Sequence, residues 1–346
     1  MPSIDVWAAE RLSLRVRYHL DEAVTALKVS QGNGVVYAAS AAGQIVAVDG
    51  ITPEFLWRKR IHSCGVLAIE PLDRFSLIAS GGEDGDLAIV DGNSGDEQTR
   101  RSFNRDDGRI AWVNHLSWSF DKSVLAVACG KKVHQFSKCL EPVGAPIQQP
   151  TTISSLGWSN RGDQFALSCF GGASRFSALE STLLGECREK EAIVSIAWSP
   201  RDSIIACGCH DSAVIIWDIG TGENLKMSGY PGKVLNLAWD SIGRFLVTSG
   251  ENRLIIWDFI GSGPSGKPPL LREAHEAIIS GIEPHPKGRY FCTGSEDGVV
   301  IIWRTGDFEP IRIGRADAPV TWLRWMKNGR GVLSGHQDGS LVCWDI

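Results

Sequence analysis

A unit of about forty residues, copied along almost the whole chain and marked twice by tryptophan, limits what this sequence can fold into. Trp217 closes the run Val214-Ile215-Ile216, Trp257 closes Leu254-Ile255-Ile256, Trp303 closes Val300-Ile301-Ile302, and Trp344 closes Leu341-Val342-Cys343. A second series, Trp118, Trp158, Trp198, Trp239 and Trp325, runs out of phase with the first, each member two residues after a Leu or Ile. Two markers per unit mean that one supersecondary element is repeated, and such a unit buries its apolar faces only by stacking on its neighbours.

Strand-like runs come in threes and fours between Gly, Asp, Asn and Ser turns, and helical periodicity is almost absent. First strands begin near Ala23, Gly65, Ala111, Thr152, Ile193, Lys233, Ile278 and Pro319, at spacings of 40 to 46 residues. Eight units are expected, with seven as the runner-up if unit one or unit four is miscounted. The chain stops at Trp344-Asp345-Ile346, before the eighth unit has a fourth strand, while Leu12, Leu14, Val16 and Tyr18 alternate ahead of the first unit. Residues 1–22 are therefore expected to supply the missing outer strand and close a ring, which removes exposed sheet edges.

With these markers the chain resembles the WD-repeat β-propeller family over its whole length, most clearly in units five to eight. The resemblance implies an all-β fold in one domain, 1–346: a closed propeller of four-stranded antiparallel blades, the N-terminal strand completing the last. It also implies a relay of hydrogen-bonded side chains, in unit seven His275, Thr293, Asp297 and Trp303. Unit two keeps His62, Ser80 and Asp84 but has Val90 in the Trp place. Unit five keeps Asp211 and Trp217 with Glu189 and Cys207 at the other places, unit eight keeps Ser334, Asp338 and Trp344 without the His, and units one, three and four lack most of it.

Propellers of this family generally bind partners on the face formed by loops leading into the innermost strands, and around the central channel. Aligning the units on that pattern puts Glu83, His210, Glu296 and Gln337 on the face, each just before a turn Asp. Trp112, Lys233 and Pro319 stand where inner strands begin. Two steps further in, Ala68, Ser155, Ser195, Asn236 and Gly281 are small or neutral, and His115 and Trp322 break the rule. A large ring there is either a channel plug or a contact anchor, because aromatic side chains carry a disproportionate share of interface energy.

Other chemistry is thin. The 43% hydrophobic and 22% charged fractions are those of a globular chain, and a net charge of −5 gives no global attraction for phosphate backbones, so nucleic acid is not an expected partner. No stretch approaches the length of a membrane span, and residues 1–20 lack a continuous apolar core, so a cytoplasmic protein without a membrane partner is expected. The nine cysteines are odd in number and scattered, as suits reduced, buried thiols. Cys207-x-Cys209-His210 and His62-x-Cys64 are each half of a zinc site, which wants about four converging ligands. Gly261 to Lys267 has phosphate-loop spacing, but Pro268-Pro269 follow where a hydroxyl and amide donors are needed, so a flexible loop is expected. Arg100 to Arg109 is basic, but its adjacent aspartates suggest a solvated outer edge. Catalytic motifs are missing, and Glu83-Asp84-Gly85-Asp86 suits a tight turn. The expected function is a non-enzymatic, monomeric scaffold for one or more proteins, with no cofactor. A zinc-handling accessory protein using Cys207, Cys209 and His210 is the first alternative, and an enzyme with its site at the channel mouth the second.

Overall fold

The β-branched runs form strands buried on both faces, because each sheet is sandwiched between two others. In unit seven, Tyr290–Ser295 and Val299–Arg304 are buried almost from end to end, and Ile313 on the outer strand Pro310–Arg315 is buried as well. The computed structural model describes residues 9–346 apart from 51, 53, 120, 122, 179, 262 and 274. Among the described residues, strands and turns make up the regular structure together with one 3-10 turn, Asp73–Phe75.

Inner strands begin at Val24, Val66, Val113, Ile153, Leu237, Ile279 and Val320, and that of the fifth unit lies in the second half of the strand Leu183–Trp198. They touch in cyclic order, and Val320–Trp325 packs against Val24–Val29 to close the ring. Each hydrophobic cluster is shared by two consecutive units; Tyr18, Val46 and Leu341 belong to the one that joins unit eight to unit one. The closing strand is Ser13–His19, which pairs antiparallel with Ser340–Asp345 in the register Leu14 to Trp344 and Tyr18 to Leu341. Just before it, Glu10–Arg11 adds a short parallel strand to Pro310–Arg315, so the N-terminal segment holds units seven and eight at once.

The strands hydrogen-bond into seven sheets, the runner-up count, instead of eight separate ones. The merger lies at units four and five. There Leu183–Trp198 runs unbroken from the outer position of one unit to the inner position of the next, giving a single six-stranded sheet. Within it Gln164–Ser177 reverses at Gly171 and Gly172, whose φ angles of 99° and 141° suit glycine, and Ala178 N–H bonds to Asp163 O.

The out-of-phase tryptophans have a clear job. Each indole N–H donates to a backbone carbonyl of the preceding inner strand: Trp158 to Ser117 at 2.8 Å, Trp198 to Gly157 at 3.1 Å, Trp239 to Ala197 at 3.2 Å and Trp325 to Glu283 at 3.0 Å. The series therefore stitches the inner strands of neighbouring units together. Nearly every inner strand also carries a register shift just after its first residue, as between Val113 and His115 or Val320 and Trp322. A bulge of this kind re-aims the side chains that follow it.

Candidate functional site

Two kinds of loop share one end of the ring: those entering the inner strands and the turns joining second strands to third. In unit seven this end is tied down by side chains. Trp303 Nε1–H donates to Thr293 Oγ1 at 2.9 Å, and Thr293 Oγ1 lies 2.8 Å from His275 Nε2. The other ring nitrogen of His275 is 3.3 Å from Asp297 Oδ2. With a carboxylate as terminal acceptor, the protons are ordered: indole to hydroxyl, hydroxyl to imidazole, imidazole to carboxylate. Burial alone would raise the Asp297 carboxyl, but the His275 ring and the N–H groups of Glu276 and Val299 outweigh it and hold it down at about 2. In unit two, His62 Nδ1 lies 2.9 Å from Asp84 and Nε2 lies 3.0 Å from Ser80 Oγ, and Val90 packs in the apolar core between units one and two.

Two further relays use residues that the sequence pattern does not bring out. In unit eight Trp344 donates to Ser334 Oγ at 2.8 Å, and the imidazole comes from His336 on the same strand, 2.8 Å from that hydroxyl, with Ala318 O at 2.9 Å from its Nδ1. The entering loop holds no histidine at the relay place, and His336, two residues after the serine, stands in for it. In unit six Trp257 donates to the Tyr230 hydroxyl at 2.7 Å, which bonds Thr248 Oγ1 at 2.9 Å, so a phenol takes the imidazole's place.

Unit three keeps the four strands but differs at this end. Its second and third strands are joined by Gly130 and Lys131 alone, since Cys129 pairs directly with Lys132; in unit seven Gly294 pairs with Val300 and five residues lie between. So short a turn has no room for the aspartate, and Gly130, at φ 59°, suits it. On the other side of the gap, residues 103–112 form an extended loop before the inner strand. Arg105 N–H bonds Arg109 O at 2.7 Å, Ala111 N–H bonds Phe103 O at 3.2 Å, and Asn104 bridges to Ile110. The turn Asp106-Asp107-Gly108 reverses it, with Asp107 Oδ1 accepting from Arg109 N–H.

Between the long loop and the short turn lies a cleft of about 850 Å³. Trp112 and Ile110 stand in it at 53% and 54% exposure, and Phe103, buried, packs below against His134 and Phe136. Five cations line it, Arg101, Arg105, Arg109, Lys131 and Lys132, against two carboxylates, Asp106 and Asp107. The cleft therefore carries a local excess of three positive charges on a chain whose net charge is −5. Burial, then the Arg101 and Lys132 charges, push the His134 imidazole down to about 4. The basic stretch read as a solvated edge is thus divided: Arg100 turns away to Asp86 and Ile61 O, and Arg101 to Arg109 line the cleft.

The remaining face residues are dispersed. Glu83 is half-buried, and Lys233, His210, Glu296 and Gln337 are exposed on units two, six, five, seven and eight respectively. His115 and Trp322 are half-buried on inner strands, with the Arg324 guanidinium 5.2 Å over the Trp322 ring. Burial moves the His115 imidazole down to about 4. Trp112 and Trp322 belong to units three and eight and do not share the cleft. Cys207 and Cys209 are fully buried with thiols pushed up by burial, Cys209 to about 12, and His210 is exposed. Among the described residues, no three His, Cys, Asp or Glu side chains gather in a metal-holding group. At 261–267 the described residues form turns with no helix after them; Ser262 lies outside the described residues.

Comparison with known proteins places this geometry. The WD domain, G-beta repeat model matches residues 180–218, 223–258, 266–304 and 308–345. The chain is 28% identical to the Periodic tryptophan protein 2 homolog of Caenorhabditis elegans over 36% of its length and 13% of the relative's. It is 26% identical to a guanine nucleotide-binding protein subunit beta of Oryza sativa subsp. japonica over 39% of each. The matches thus span well under half of these relatives. The C-terminal WD40 domain of Sif2 superposes with a TM-score of 0.81 at 11% identity, over 98% of this chain and 99% of that one. The four matched repeats are those of the WD-repeat family, and the ring of small antiparallel sheets, alike in fold to that domain, makes the chain a WD-repeat β-propeller.

Proposed function

We propose that the protein is a non-enzymatic interaction scaffold that binds one or more proteins through the loop end of the ring, with the cleft between units two and three as its principal contact. One observation carries this reading: Trp112, a large aromatic side chain, is half exposed in a cleft. Large aromatics in partly enclosed pockets rimmed by polar groups are the usual anchors of protein interfaces. Rigidity supplies the mechanism. A closed ring stitched by indole N–H bonds presents loops already in place, so association costs little ordering on this side.

No catalytic step enters the reading, and neither does a metal. His115 and His134 are the histidines moved down to about 4, far from the neutral range in which a general base works best. A monomeric ring acting in the cytoplasm is part of the proposal. Among the described residues no helix is long and apolar enough to cross a membrane.

The test is a pull-down from native lysate with the intact protein, Trp112→Ala and Trp322→Ala, with elemental analysis of the same preparation. A stoichiometric partner lost with Trp112→Ala and kept with Trp322→Ala is expected. About one zinc per chain and no partner would overturn the reading in favour of the Cys207 cluster.

A further inference from the structure

We propose that the cleft receives a short acidic segment of the partner protein, one apolar side chain of that segment resting against Trp112 and Ile110 and its carboxylates facing Arg101, Arg109, Lys131 and Lys132. The inference rests on the scaffold reading and adds the chemistry of what is bound.

Charge complementarity is the first argument. The cleft gathers an excess of three positive charges on a chain that is otherwise acidic, and cations so concentrated select an anion by steering and by rejecting like charge. Their internal compensation is weak. Lys132 reaches Asp106 at 2.6 Å, and Arg105 and Arg109 share Asp107 at 3.9 Å each, all with solvent access. Exposed pairs of this kind contribute little, so incoming carboxylates displace them at small cost. Arg101 and Lys131 have no ion-pair partner among the described residues. Arg101 is held with its guanidinium 5.0 Å over the Phe136 ring, and Lys131 Nζ donates to Pro150 O at 3.0 Å. Both heads are therefore placed before any ligand arrives.

Shape is the second argument. The two apolar groups stand together at the end of the 103–112 loop, with the charges around them. This is the layout of a pocket for one apolar anchor inside a charged rim. The loop's own backbone bonds, Arg105 to Arg109 and Ala111 to Phe103, fix it in advance. On the cleft floor the Asn114 carboxamide oxygen has no hydrogen-bond partner, and the main-chain N–H of an extended peptide is its natural complement. A nucleic acid fits less well: the chain repels a polyanion overall, and Asp106 and Asp107 put two carboxylates in the lining of the cleft.

The experiment is fluorescence anisotropy with a labelled peptide of glutamates around a central leucine, its lysine-for-glutamate counterpart, and a single-stranded oligonucleotide of matched charge. The acidic peptide is expected to bind the wild-type protein, more weakly as salt rises. Arg109→Glu with Lys131→Glu should weaken it roughly tenfold or more, and Trp112→Ala should weaken it similarly. Arg188→Glu, a single charge reversal on the exposed outer strand of unit four, should leave it unchanged. All the altered side chains are exposed, and matching thermal unfolding curves establish that the variants fold. No binding, binding that survives the double reversal, or tighter binding of the oligonucleotide would overturn the inference. If those outcomes came with a protein still captured through Trp112 in the pull-down, the scaffold would stand with a partner of other chemistry; loss of both would remove the scaffold as well.

Discussion

Units seven and three have the same four strands but opposite loop ends. Unit seven binds its entering loop to its own turn through Trp303, Thr293, His275 and Asp297, and all four side chains are fully or nearly buried. Unit three has replaced the turn with Gly130-Lys131 and lengthened the loop entering it, and the space released holds exposed Trp112 among cations. Where the relay is present the face is closed by the protein's own polar groups. In unit three, where it is missing, the face is open to another chain. A relay therefore marks a structural unit, and the departure from it marks the place to look for function.

The largest expected effect contrasts the two tryptophans. Trp303→Ala should destabilise by about 3–5 kcal/mol, because it leaves a cavity in a side chain's place that is 0% exposed. Trp112→Ala should stay within about 0.5 kcal/mol while weakening partner binding. Urea unfolding of both variants measures this, and equal losses would break the comparison.

Acid should separate the units next. His115 and His134 of unit three are lowered by burial to about 4 from 6.5, so the unfolded chain takes up protons first and stability falls as pH drops from 6.5 to 4. The shift corresponds to at most about 3 kcal/mol for His115, less where water reaches the ring. His62, His285 and His336 are moved in the same direction by burial. Asp297 is lowered to about 2 from 3.8, so its contribution is whole above pH 3.8 and is lost as pH falls through 2. Stability measured against pH should therefore lose part of its upper slope in His134→Gln and part of its lower slope in Asp297→Asn. Identical profiles for both variants would contradict the assignment.

Thr293→Val removes the hydroxyl that joins Trp303 to His275 and leaves two buried donors or acceptors unpartnered, an expected loss of about 2 kcal/mol in denaturant unfolding. Trp198→Phe keeps an aromatic ring but deletes the N–H bond to Gly157 O and part of the indole's bulk, for about 1–2 kcal/mol. A larger loss for Trp198→Phe than for Thr293→Val would mean that the stitches between inner strands outweigh the relays.

Much of this was legible in the sequence because repetition writes itself as spacing. The Trp series and the alternating Leu12 to Tyr18 give the ring and its closing strand, since both depend on residues close in sequence or on a fixed period. What could not be read depends on convergence. Arg101 and Lys131 are thirty residues apart, and only the packing of unit three against unit two shows that they face one cleft. Trp112 stood out locally by size, but its surroundings did not. His336 and Tyr230 escaped because a relay needs an imidazole or phenol at a point in space, which the chain can deliver from a strand as well as from a loop. The merger of units four and five follows from the unbroken strand Leu183–Trp198, where no Gly, Pro or Asn stands between Glu186 and Trp198 to punctuate the sequence.

Hydrogen–deuterium exchange of the protein alone and saturated with its captured partner tests the central claim most directly. The account predicts new protection in residues 103–112 and 130–132, with unit seven's 275–298 segment protected equally in both states. Protection that appears at 275–298 and leaves the 103–112 loop exchanging freely would contradict it.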